Sequence, residues 1–248
     1  MGRAWILCPA LMVAVLFTGQ GRATEPEPYG AEDLHDILTH IPEPMIFDLV
    51  RPLGARKGEL ETNVLALGPT GPDNELAWAP ELEYALLDGF ALEFELPFYG
   101  STLEAYKFAA QYTLGDPAAE HFLHGLQLIA ENFRDPELWE LSFLYVPGYR
   151  FDRTWSALAL VGIRIPLDDA HDNELLVNLT PFADVGPYTS LGLEFDFEWD
   201  LEEDAHLIVM PQLHQELGRH FMLQLGLGLE TSSEHGGALG AVRAIYTF

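Results

Sequence analysis

The sequence predicts an all-β protein, a transmembrane antiparallel β-barrel of about twelve strands, with ten or fourteen also compatible with its length. Three observations carry this reading. Segment after segment alternates apolar with polar or small residues at period two; the chain opens with a leader-like stretch; and its last strand-like segment closes on Phe248. In a membrane barrel the lipid face and the lumen face take turns along each strand, so one face is apolar while the average is only mildly so. That reconciles 48% hydrophobic residues with 39 acidic ones.

The leader comes first. Arg3 supplies the positive start, Ala4 to Phe17 an apolar core, and Gly21-Arg22-Ala23 a small-x-small site. Residues 1–23 are therefore read as a signal peptide cleaved after Ala23. The apolar run falls short of the ~20 residues of a spanning helix. The only cysteine, Cys8, leaves with the leader, so the mature chain has no thiol for a disulfide.

Residues 24–59 read as a linker and a short amphipathic segment. Thr24 to Gly30 is rich in Pro and Glu, and Leu34, Ile37, Leu38 and Ile41 fall at helical spacing. This segment either plugs the inner mouth or rests at the rim. An irregular stretch through Pro44, Pro52 and Gly54 follows.

Residues 60–248 hold the strands, expected at roughly 60–67, 75–86, 90–98, 106–114, 122–132, 138–147, 154–165, 174–182, 188–200, 206–215, 220–230 and 239–248. The alternation is cleanest in LGLEFDFEWD, where Leu191, Leu193, Phe195, Phe197 and Trp199 oppose Gly192, Glu194, Asp196, Glu198 and Asp200. FALEFELPF from Phe90 and FMLQLGLGLE from Phe221 repeat it. The faces are mixed in the first strand and in 122–132. Asp88-Gly89 is a tight hairpin signal. If the first strand runs outward, the outer connections are mostly acidic. Trp199, Trp139 and Tyr106 then form an outer girdle, and Trp155, Tyr188, Tyr112 and Tyr246 an inner one.

The hairpin Glu81 to Phe98, ELEYALLDGFALEFELPF, resembles the repeated hairpin of transporter-type outer-membrane barrels grouped with the phenol-degradation MetA-pathway proteins. That resemblance implies a barrel for passage of small hydrophobic or aromatic compounds. It covers one hairpin and transfers no functional residue.

Formal charge is −27 and becomes −29 when Arg3 and Arg22 leave with the leader. Nucleic acid is excluded as a partner, because phosphate binding needs a basic surface. The expected partners are outer-membrane lipid and lipopolysaccharide, the outer-membrane assembly machinery and a small-molecule solute, at the bacterial outer membrane. Parity turns Glu81, Glu83, Glu93, Glu95, Glu194 and Asp196 into the lumen with the bases Lys107, Arg164 and Arg243, and these nine are the pore candidates. They either crosslink the wall or form the narrowest point of a pore with weak cation preference. Leu158, Leu160, Ile208, Met210, Met222, Leu239 and Ile245 share the inward parity, as packing or as an apolar lining. Tyr246 and Phe248 are the candidate barrel-insertion signal.

No nucleophile elbow, phosphate loop or cysteine pair appears, and no cofactor or metal is implied. His121 and His124 lie three apart, on opposite faces of a strand. The expected function is a passive channel or transporter for small, hydrophobic or cationic solutes, and not an enzyme. A structural or surface-interaction barrel with a filled lumen and a soluble secreted β-sandwich are the alternatives.

Overall fold

A computed structural model of the chain describes residues 40–47, 49–69, 76–114, 121–135, 137–168, 171–201, 205–232 and 236–248. The leader, its cleavage site and nearly all of the amphipathic segment before Ile41 lie outside the described residues.

The strands are β1 (Leu60–Pro69), β2 (Ala77–Leu87), β3 (Phe90–Glu95), β4 (Phe98–Tyr99), β5 (Thr102–Leu103), β6 (Ala105–Leu114), β7 (Phe122–Arg134), β8 (Glu137–Arg150), β9 (Trp155–Pro166), β10 (Glu174–Gly186), β11 (Thr189–Trp199), β12 (Ala205–Glu216), β13 (Phe221–Thr231) and β14 (Gly236–Thr247). The two-residue β4 and β5 form a small hairpin beyond Leu96-Pro97, and β4 pairs with β2, so it prolongs β3 past a proline break. The break is physical: Pro97 has no N–H to give to a ladder. The remaining twelve strands form the wall. Each pairs antiparallel with its neighbours, and β1 pairs with both β2 and β14, from Glu61 opposite Thr247 to Pro69 opposite Leu239. The Phe248 N–H donates to the Leu60 carbonyl at 3.0 Å beyond the last register pair. A single closed sheet excludes the two-sheet sandwich, and it removes the unpaired edges that lipid could not satisfy.

Alternation sets which face each side chain takes. On β2, Glu81, Glu83 and Ala85 are buried while Leu82, Tyr84 and Leu86 are exposed. On β13, Leu225, Leu227 and Leu229 are exposed. Most exposed Trp and Tyr side chains lie toward the strand ends, with Tyr106, Trp139 and Trp199 at one end and Tyr112, Trp155, Tyr188 and Tyr246 at the other, while exposed Phe108, Phe143 and Phe195 lie within the strands. We call the end where β1 begins and β14 finishes the proximal mouth, and the other the distal mouth.

The interior is occupied. Residues 41–47 and 49–55, expected as an irregular stretch after a segment that either plugs the inner mouth or rests at the rim, run inside the barrel. Ile41, Phe47, Leu49, Val50, Leu53 and Ala55 share one buried cluster with wall residues such as Leu123, Leu144, Leu158, Leu160, Leu176 and Phe182. Met45 joins Ile208, Met210, Leu239 and Ala241 in a second. The inward apolar residues thus face the chain's own plug. Three wall glycines make room for it: an added Cβ would lie 2.7 Å from Ile41 Cδ1 at Gly148, 2.9 Å from Leu53 Cδ2 at Gly125 and 3.1 Å from Met45 Sδ at Gly226. Those separations are below van der Waals contact, so the plug sits where side chains are missing.

Candidate functional site: the occupied lumen

Polar anchors join the packing in holding the plug. The backbone N–H groups of Met45, Ile46 and Phe47 all donate to the Glu194 carboxylate on β11, at 2.8, 2.9 and 2.8 Å. Successive N–H groups converging on one anion form a concavity suited to negative charge. Asn178 Nδ2 donates to Glu194 Oε1 at 2.7 Å and Gln212 Nε2 to Oε2 at 3.4 Å. Glu194 is fully buried, and a buried carboxylate persists only when hydrogen-bonded in this way.

Arg51, on the plug, holds the other side. The register places Glu61 opposite Glu83, Glu83 opposite Glu93 and Glu81 opposite Glu95, which stacks like charges across β1 to β3. Arg51 ion-pairs with Glu61, with Glu59 at 3.2 Å and with Glu83 at 3.7 Å. Burial disfavours the Arg51 charge, but Glu61, Glu43 and Glu83 outweigh it and hold the guanidinium above its ordinary pKa. Arg243 from β14 reaches Glu81 at 3.2 Å, Glu83 at 3.7 Å, the plug's Glu43 at 3.7 Å and Asn63 Oδ1 at 3.1 Å. Further ties are Gln111 Nε2 to the Arg51 carbonyl at 2.6 Å, Gly54 N–H to Thr113 Oγ1 at 2.9 Å, and Arg150 Nε to the His40 carbonyl at 2.8 Å. After the plug, the chain is stitched to the β2–β3 hairpin, with Gly89 N–H to the Ala55 carbonyl at 2.7 Å and Lys57 N–H to Asp88 Oδ1 at 2.9 Å.

The nine lumen candidates fall into separate groups. Glu81 and Glu83 meet at Arg243, Glu83 also reaching Arg51, and Glu194 and Asp196 share Asn178, which lies 3.2 Å from Asp196 Oδ1. Lys107 ion-pairs with Glu95 and lies 3.8 Å from Glu93. Nearer the distal mouth, Arg164 gathers Glu174 at 2.5 Å, Glu198 at 3.2 Å and Glu140 at 3.7 Å. Tyr246 and Phe248 are exposed at the end of the wall. His121 and His124 take different partners, the Arg150 carbonyl and the Tyr145 hydroxyl. Sequence reasoning missed Arg51, Arg150 and Asn178. Asn178 carried a usable signal, since it shares the inward parity of β10.

At the proximal mouth the plug leaves a cavity of about 1120 Å³. His40, Pro42, Pro52, Arg150, Arg153, Asp184, Arg219, Met222 and Ile245 are among its lining residues. Arg150 is committed to the His40 carbonyl and to Asp184, 2.8 Å away.

An edgeless wall with an apolar exterior and two aromatic girdles defines an outer-membrane β-barrel, porin-like in architecture and of the Gram-negative type. A family model described as HAEPLYID-like matches residues 37–115, a span that includes the plug and the Glu81–Phe98 hairpin. Its description differs from that of the phenol-degradation MetA-pathway group. No curated protein matches the sequence. Among solved structures, the COG4313 outer membrane channel from Pseudomonas putida F1 is similar with a TM-score of 0.64 and 14% identity, over 84% of this chain and 100% of that one. The KdgM porin is similar with a TM-score of 0.60 and 10% identity, over 76% and 99%. A structure of KdgM porin in complex with disordered oligogalacturonate gives 0.58 and 10%, over 77% and 99%. These relatives are channels and porins, and at such identities the likeness concerns the fold.

Proposed function

We propose that this protein is an outer-membrane channel for small solutes, closed at rest by its own N-terminal segment. The observation that carries the reading is the seating of residues 45–47 on Glu194, opposite wall glycines that leave space for the plug. Wall side chains alone fill barrels of about eight strands, and twelve leave room that this segment occupies. The connections at the proximal mouth include two-residue turns between β2 and β3 and between β10 and β11, and most distal ones run longer, although the β7–β8 connection is also two residues. Short turns belong on the periplasmic side, so the plug enters from the periplasm.

With the plug withdrawn, a solute would pass the Arg164–Glu140–Glu174–Glu198 group and the carboxylates held by Lys107 and Arg243. Their excess of negative charge favours cations. The Met210, Leu158 and Leu160 faces offer an apolar flank. No residue is assigned a catalytic role, and the channel needs no cofactor. The exposed belt meets lipid and lipopolysaccharide. Tyr246 and Phe248 serve as the recognition end for the assembly machinery.

Single-channel recording of the mature chain, Thr24 to Phe248, in planar bilayers under a salt gradient tests this. Rare openings in the native chain and frequent, weakly cation-selective openings in Glu194→Ala support a gated channel. Silence in both, with the barrel shown to be inserted, favours the filled surface-interaction barrel instead.

A further inference from the structure

The proximal cavity carries chemistry that the barrel wall does not require. The chain has 12 Lys and Arg against 39 Asp and Glu, and three arginines line this one vestibule beside Glu43, Glu61, Asp184 and Glu216, of which Glu43 and Glu61 are held by Arg243 and Arg51. Arg150 is spent on the plug and on Asp184. Among the described residues, Arg153 and Arg219 have no carboxylate within ion-pair distance. Each sits on a braced turn. Asp152 Oδ1 accepts the N–H groups of Thr154 at 2.7 Å and Trp155 at 2.8 Å, which fixes the turn carrying Arg153. These backbone hydrogen bonds hold the Asp152 carboxyl below its ordinary pKa, so it stays ionised and committed to the turn. The turn with Arg219 follows Gly218, whose φ of +146° suits glycine, and is pinned by His220 Nδ1 to the Thr247 carbonyl at 2.8 Å.

Behind the arginines part of the lining is apolar. Met222 and Ile245 come from the wall, Pro42 and Pro52 from the plug. A volume of about 1120 Å³ accommodates a small organic molecule with water to spare. We propose that this vestibule binds small amphipathic monocarboxylates, the carboxylate held by Arg153 and Arg219 and the hydrocarbon body laid against Pro42, Pro52, Met222 and Ile245. Arginine suits the task, because its planar fork matches a carboxylate and is weakly hydrated. Two of the four apolar contacts belong to the plug, so the ligand engages the plugged state. By linkage, binding stabilises that state in proportion to the differential affinity. The proposal takes its biological role from the channel reading, but its test reads binding and not conductance, so either can fail alone.

The test is isothermal titration of the full mature chain in lipid nanodiscs with hexanoate, hexanamide and hexylamine. These share a body and differ in charge. Saturable hexanoate binding is expected, with at least tenfold weaker binding of the other two. The Arg153→Gln/Arg219→Gln variant, altered only in exposed turn side chains, should lose at least tenfold in hexanoate affinity. Amide exchange at Met45 to Phe47 should slow in native protein on adding hexanoate and remain unchanged in that variant. Equal binding of the three compounds, equal hexanoate binding by the variant, or no binding would each overturn the proposal.

Discussion

Replacing Glu194 with glutamine keeps the shape of the plug's anchor and removes half of its acceptors. Oε1 serves the Phe47 N–H and Asn178, while Oε2 serves the Met45 and Ile46 N–H groups. Whichever way the amide turns, its NH2 faces two donors. Two hydrogen bonds to a charged acceptor are lost, at about 1.5–3 kcal/mol each. Neutralising a fully buried carboxylate returns part of its desolvation cost, which leaves a net loss of about 2–3 kcal/mol in plug docking. At 1.4 kcal/mol per tenfold, the undocked population rises roughly 30- to 100-fold. The backbone hydrogen bonds of the wall are untouched. The assay is native-state amide exchange by NMR in nanodiscs: Met45, Ile46 and Phe47 should exchange faster by that factor, while Leu160 and Ile208 in the wall keep their rates. Unchanged protection at those three amides would refute the anchoring role of Glu194.

Arg51→Gln leaves Glu59, Glu61 and Glu83 without their plug cation; breaking a buried pair costs about 3–5 kcal/mol, read as a lower temperature for the loss of plug protection. Adding Glu61→Gln should recover part of it in a double-mutant cycle. Gly148→Val with Gly226→Val fills the space that Ile41 and Met45 occupy, so a cysteine placed at Phe47 in a Thr24–Phe248 chain, which holds no other cysteine, becomes reactive to a water-soluble maleimide, while gel mobility of the unheated barrel stays native. Asp152 gives a pH effect of defined sign. Its pKa is lowered in the folded state by the Trp155 and Thr154 N–H groups, so its contribution is complete above the ordinary aspartate value of about 3.9 and is lost as pH falls through the lower folded value. Exchange at the Thr154 and Trp155 amides should accelerate only in that acid range, and Asp152→Ala should remove the pH dependence.

The wall was legible because its physics is local. Lipid on one side and a polar interior on the other force period two, so LGLEFDFEWD announces its faces without any partner. The Asp88-Gly89 turn and the pairing of the Phe248 strand with β1 follow from the same logic. The plug was legible only as one of two options for the amphipathic segment, and its course inside the barrel was not. Ile41, Met45, Leu49 and Leu53 have no strand period, and Pro42, Pro44 and Pro52 break any helix. Their burial depends on a carboxylate 149 residues away from Met45 and on glycines scattered over three strands. Glu194 is indistinguishable in sequence from Glu93 or Glu198, since all three alternate with apolar neighbours. Its distinction comes from what the fold brings to it.

The path of the plug has a mechanical consequence. His40 lines the cavity at the proximal mouth, and Lys57 and Gly58 are tied to Asp88 and Ala85 at that same mouth. The segment therefore enters and leaves by one door, as a loop whose two ends never cross the membrane. Such a loop can be drawn out sideways like a bolt, without threading a free end through the ring and without opening a single strand pair. The force that draws it has to be applied from the side on which both of its ends emerge.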